Sequence, residues 1–207
     1  MEPERTRRTQ AERRETTRRA LLDATIQSLM ELGYSRTTTT EVVRCAGFSQ
    51  GALFKHFPSK SALVAAAAEQ LFEDLFTRFS SAFEASVEHA DEPAIVLAMR
   101  KLWDVFCTKE LRAVYGLYAE APNDPELHAS LVPVVAAHQA NLSRFALDLF
   151  PELERTELHR ALLTSVIYAM QGLSFQKAVH VDADDEARML SHLESLGRSL
   201  FPKEIPC

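Results

Sequence analysis

Gln50, Phe54, Lys55, His56 and Lys60 fall within an eleven-residue window, and their chemistry is that of recognition, not reaction. The amide of Gln50 carries a donor beside an acceptor, the pair that matches N6 and N7 of adenine in a major groove. Phe54 offers an apolar edge for a thymine methyl or a sugar wall. Lys55 and Lys60 supply charge for phosphate, and His56 supplies a donor for the same purpose. Gly51 and Ala52 are small, so a helix carrying them can bring its backbone close to base edges. Nowhere does the chain show a nucleophile–base pair, a metal-spaced His or carboxylate cluster, or a Gly-rich phosphate loop. We therefore expect no enzyme, no catalytic residue, no metal and no cofactor.

These side chains need a rigid short helix held at a fixed angle, and the surrounding residues predict one. Gly33 stops a first helix that runs from about Arg13, with Leu21, Ala24, Leu29 and Leu32 at helical spacing. Thr38 is placed to cap a second helix, Thr39 to Ala46, and Glu41 stands at capping-box distance from it. Gly47 forces a tight turn, and Ser49 can cap a third helix over Gln50 to Phe54. Two short helices with a glycine between them form a helix-turn-helix, whose second member enters a major groove. Leu53 and Phe57 are expected to pack that member on the first two helices, with Phe48 filling the turn. The helix N-termini at Thr39 and Gln50 favour phosphate. The competing reading is an αα-corner buried in a helical bundle. Arg13, Arg14, Arg18 and Arg19 are either DNA contacts or a solvated face diluted by Glu12 and Glu15. Each Thr from Thr37 to Thr40 is either a cap or a contact.

The remainder reads as helices alone. A long fourth helix starts at Ser59-Lys60 and reaches about Ser86. Five more follow, broken at Pro93, at Pro122 to Pro125 and at Pro151. Residues 1–60 carry 11 Lys and Arg against 7 Asp and Glu, a net of +4, while residues 61–207 carry 12 against 22, a net of -10. A basic front joined to an acidic body suits a DNA-facing part on a part that DNA repels. Beyond Met1, residues 1–12 hold no large apolar side chain and are expected to form a disordered basic arm bearing Arg5, Arg7 and Arg8. The three cysteines show neither zinc spacing nor a disulfide framework. No apolar run approaches the roughly 18 residues of a membrane span, and the N-terminus lacks the apolar core of a signal peptide. Those features point to the cytoplasm.

The segments LLDATIQSLMELGYSRTTTTEVV, RCAGFSQGALFKHFPSK and SALVAAAAEQL, about Leu21 to Leu71, resemble the TetR/AcrR-type transcriptional regulators. The resemblance implies an all-α homodimer. Its N-terminal three-helix helix-turn-helix domain, residues 13–60, would bind DNA. Its C-terminal helical domain, residues 61–207, would bind an effector and dimerise. Carried over by position, Thr38, Thr39 and Thr40 contact DNA from the second helix. Gln50, Gly51, Ala52, Phe54 and His56 lie on the recognition helix, and Lys60 holds a phosphate. Phe54 stands where the family usually has Tyr, which removes a phenolic hydroxyl from the phosphate contacts, and Cys45 stands where a charged residue is frequent.

In the C-terminal part Trp103, Phe106, Tyr115 and Tyr118 fall on or near apolar stripes, as do Phe145, Met170 and Phe175. Each is either core or pocket wall; together they are compatible with an apolar cavity. His138 and Gln171 are polar residues in apolar runs, either satisfied core groups or ligand-orienting ones. The last two helices are apolar on more than one face, so one face should meet a second subunit. Leu162, Val166, Leu173, Met189, Leu193 and Leu196 are the expected interface positions. The reading is a dimeric, sequence-specific DNA-binding transcriptional regulator, a repressor released from a palindromic operator by a small apolar or amphipathic effector. The alternative is a DNA-binding regulator with no small-molecule effector.

Overall fold

The computed structural model describes residues 9–87, 89–151 and 156–200, except the side chains of Leu158, His159, Arg160, Leu162 and Leu200. The expected arm residues 1–8 and the side chain of Leu162 thus lie outside the described residues. The described chain is all helix: α1 (Gln10–Leu32), α2 (Thr39–Ala46), α3 (Gln50–Phe54), α4 (Lys60–Val87), α5 (Ala94–Phe106), α6 (Lys109–Glu120), a single 3-10 turn (Ala121–Asn123), α7 (Pro125–Leu149), α8 (Glu157–Lys177) and α9 (Ala183–Leu200).

Helix α1 begins three residues earlier than its apolar pattern predicts. Thr9 accepts from the Glu12 N–H at 3.2 Å, and the Glu12 carboxylate accepts from the Thr9 N–H at 2.7 Å. This reciprocal cap satisfies two N–H groups that a helix start leaves open, so residues 10–12 belong to the helix and not to the arm. At the other end Gly33 donates its N–H to the Leu29 carbonyl with φ at 74°.

The described chain forms two compact units. The first comprises the chain up to Leu71 together with Gly116–Val134; the second comprises Phe72–Tyr115 and the chain from Val135 onward. This differs from a cut at residue 60. Leu63 and Ala67 of α4 are buried in the same core as Leu21, Leu22, Val42, Leu53 and Phe57, so the start of α4 folds with α1 to α3. Within this unit Tyr34 donates its hydroxyl to Asp124 at 2.5 Å, which ties in the segment before α7.

In the second unit α5 packs on α8 and α9. Ser174 donates to the Phe106 carbonyl at 2.5 Å, and Arg100 bonds Glu194 at 2.7 and 2.8 Å. Gly197 lies against α5 so closely that a Cβ would stand 3.0 Å from the Met99 sulfur. An aromatic seam joins α4 to α7: Phe72 stacks on His138 at 3.9 Å between centroids, and Phe145 meets Phe76 and Phe79 edge-on at 5.0 and 5.8 Å.

Candidate nucleic-acid interface

Helix α3 has one buried and one open side. Leu53 is fully buried in the first core, while Gly51, Phe54 and Lys55 are exposed, Phe54 at 49%. Burying Leu53 and Phe57 together holds so short a helix in place, since five residues cannot sustain a helix unaided. Phe48 packs against the same core from the turn. Gly47, with φ 73° and ψ 30°, takes the left-handed conformation that lets α2 end and α3 begin within three residues. Ser49 caps α3 by accepting from the Ala52 N–H at 3.2 Å.

On α2, Thr38 accepts from the Glu41 N–H at 3.2 Å. The reciprocal half of the expected capping box is not formed. The Glu41 carboxylate instead accepts two bonds from Arg44, at 2.9 and 2.5 Å. Those bonds, and then Cys45, hold its carboxyl below the usual carboxylate range. Arg44 is thereby neutralised locally. Thr37 is buried, donating its hydroxyl to the Gly33 carbonyl at 2.8 Å. Thr38 and Thr40 are exposed and Thr39 is half-buried. Thr40 accepts from the Gln50 amide at 3.0 Å, while Gln50 Oε1 is buried with no hydrogen-bond partner among the described residues. Gln50 thus bridges α2 and α3 with one end of its amide unsatisfied.

Lys60 is already engaged. Its ammonium donates to the Tyr34 carbonyl at 2.9 Å and lies 3.8 Å from the centroid of the Tyr34 ring. Burial lowers its pKa, against the opposing pull of Asp124 and Glu120. Tyr34 is pushed up to about 12 by burial and by its bond to Asp124. Just past the C-terminal end of α3, His56 is half-buried. Its pKa is lowered by burial first and then by Arg14 and Arg18 of α1. Arg18 sits 5.6 Å from the centroid of the Phe57 ring. The sequence pattern left Arg14 and Arg18 undecided; the one-turn spacing that puts both on a single face of α1 is the signal for pairing them.

The residues expected to meet an effector do not share one environment. Trp103, Phe106, Tyr115 and Met170 are buried in the second unit, and His138, Phe145 and Gln171 are half-buried there. Burial brings His138 down to about 4, so it is neutral near pH 7. Two of these residues stand apart. Tyr118 belongs to the first unit, and burial pushes it up to about 12. Phe175 is 57% exposed, because helical periodicity aligns it with the exposed Tyr168. The expected dimer positions also split. Val166 and Leu193 are buried inside their own unit, Leu173 and Leu196 are half-buried, and Met189 is exposed. The open apolar stripe of α8 is Tyr168 and Phe175, with Gly172 between them, and the exposed Val179 follows in the turn after the helix.

Among the described residues, no cluster of three or more His, Cys, Asp or Glu side chains could hold a metal ion, and no helix is long and apolar enough to cross a membrane.

Residues 21–73 match the family described as bacterial regulatory proteins, tetR family. An uncharacterised HTH-type transcriptional regulator of Mycobacterium tuberculosis is 32% identical over 164 residues, 77% of this chain and 83% of that one. A transcriptional regulator from Rhodococcus sp. Rha1 has a similar fold at 21% identity, with a TM-score of 0.61 over 89% of this chain and 95% of its own. The protein EbrR does so at 20% identity, with a TM-score of 0.64 over 92% and 96%.

Proposed function

Because the chain belongs to the tetR family of bacterial regulatory proteins, we propose that this DNA-binding transcriptional regulator is a dimeric repressor released from its operator by a small apolar or amphipathic effector. The observation that carries the reading is the division of α3, anchored by Leu53 and open at Gly51, Phe54 and Lys55. A side chain on the open face reaches bases while the anchor fixes its angle. Thr38, Thr39 and Thr40 flank that face from α2. Gln50 reads a base, with adenine the best partner. A buried acceptor without a partner costs about 1–3 kcal/mol, so swinging the amide out to a base edge recovers that cost. Lys55 neutralises phosphate; Lys60 supports the reading head through Tyr34 and adds longer-range charge.

The stripe of Tyr168, Gly172 and Phe175, with Val179 after it, supports dimerisation. It leaves large apolar groups in water around a glycine that lets a partner helix approach closely. Two α3 helices about 34 Å apart then meet successive major grooves, and two-fold symmetry demands a palindromic operator. An effector acts only through a difference in its affinity for the competent and incompetent dimers. The second unit buries mainly apolar side chains, and EbrR, of similar fold, is a multidrug binding protein. Work on chromosomal DNA sets the location as cytoplasmic, and no catalytic role is assigned. The self-packed seam of Phe72, Phe76, Phe79, His138 and Phe145 favours a second reading, a regulator without an effector.

Selection of bound DNA from random duplexes, repeated with apolar compounds, tests the proposal alongside the particle mass in solution. An inverted repeat bound by a dimer, and lost with one compound class, is expected. A monomer, or enrichment of an asymmetric site, overturns the dimer; binding that no compound alters favours the second reading.

A further inference from the structure

Arg14 and Arg18 stand one turn apart on α1 and so share a face. Neither has an ion-pair partner among the described residues, whereas Arg19 pairs with Asp23 and Arg44 with Glu41. The Arg18 guanidinium rests 5.6 Å from the centroid of the buried Phe57 ring, which sets this face against the end of α3. His56 precedes Phe57, and their ring centroids are 6.2 Å apart. The His56 ring nitrogens have no hydrogen-bond partner among the described residues. The charged groups bearing on His56 from α1 are Arg14, Arg18 and one acid, Glu15; Lys55 precedes it on the chain. Cations gathered with a single acid between them repel one another, and an anion placed among them removes that repulsion.

We propose that Arg14, Arg18 and His56 form a phosphodiester-binding site at the corner of α1 and α3, and that His56 takes up a proton when a DNA phosphate docks there. The site rests on the DNA-binding reading and adds α1 to the contact surface. In the free protein burial and the two arginines hold the imidazole below its ordinary range. A docked phosphodiester brings one full negative charge and favours the imidazolium. The proton comes from solvent and binds a ring nitrogen; no bond to phosphorus forms or breaks. The bound state then carries more protons than the free state. Affinity therefore rises as pH falls from above the bound pKa to below the free one, and is flat outside that window.

The test is fluorescence anisotropy of a labelled random-sequence duplex with the full chain, over pH and salt. Wild-type affinity is expected to rise on acidification by up to about tenfold per pH unit for each head engaged, between the bound and the depressed free value of the imidazole. His56→Gln keeps a donor but takes up no proton, and should flatten that slope. Arg14→Gln should reduce the dependence of log affinity on log salt by about 0.9 per head, with Arg14→Lys restoring it and thermal unfolding unchanged. A wild-type pH slope in His56→Gln, or an unchanged salt slope in Arg14→Gln, overturns the site while leaving DNA binding intact. Failure of the wild type to bind any duplex removes both. Should His56→Gln fold poorly, NMR titration of His56 decides: a pKa raised by duplex is expected, and an unmoved one refutes the proposal.

Discussion

Two basic clusters, the Lys60 network and the α1 face beside His56, hold the same kind of residue in opposite states. In the first, Lys60 is closed into a network with Tyr34 and Asp124, and Ser35 donates to Glu120 at 3.4 Å. In the second, Arg14 and Arg18 bear on His56 without an ion-pair partner among the described residues. A cation with an internal acceptor has its charge spent on the fold, and one without is available to a ligand. Position near a reading helix therefore does not by itself make a lysine or arginine a phosphate contact; its partners decide.

Four substitutions break or sharpen this contrast. Leu53→Ala removes the anchor of α3 itself. It should cost about 2–5 kcal/mol in denaturant unfolding and abolish DNA binding; a loss well under that range would mean α3 is not held by its buried side. Gln50→Ala acts at the start of α3, away from both clusters in sequence. It should relax preference at one base pair by about 1–3 kcal/mol without altering the salt slope, measured on operator variants. Lys60→Met should lose about 1 kcal/mol of stability and barely change the salt slope. A salt slope reduced as much as in Arg14→Gln would erase the contrast.

The smallest effect separates the two clusters by pH. Asp124 is held below the usual carboxylate range by the Leu127 N–H and then by Tyr34. Its folded pKa is depressed, so its contribution to stability is present above the ordinary carboxylate pKa and is lost as pH falls through the folded value. Acid should thus weaken the Lys60 network while strengthening DNA binding through His56. Asp124→Asn should lower the melting temperature slightly at neutral pH and show a smaller further drop below about pH 4. An unchanged acid profile would count against the network.

Much of this was readable in the residues. The helix-turn-helix follows from Gly33, Thr38, Gly47 and Ser49, and both short helices lie at the expected bounds. Glycine and capping residues act over three or four positions, which a sequence displays directly. The start of α1 was hidden because its first two turns carry charge instead of an apolar stripe; only the Thr9–Glu12 spacing reports it. The state of Lys60 was hidden because its network reaches Asp124, 64 positions away. In α8 both faces are apolar, so pattern alone could not tell that Val166 turns inward and Phe175 outward. The effector-facing residues were illegible for the same reason, since core wall and pocket wall use the same side chains.

The open face of α3 as the reading surface is tested most directly by amide hydrogen exchange with and without a bound duplex. Added protection should concentrate in Thr38–Thr40 and Gln50–His56 and at the α1 face of Arg14 and Arg18, with α8 and α9 unchanged. Protection that leaves Gln50–His56 untouched and appears on another surface would contradict the account.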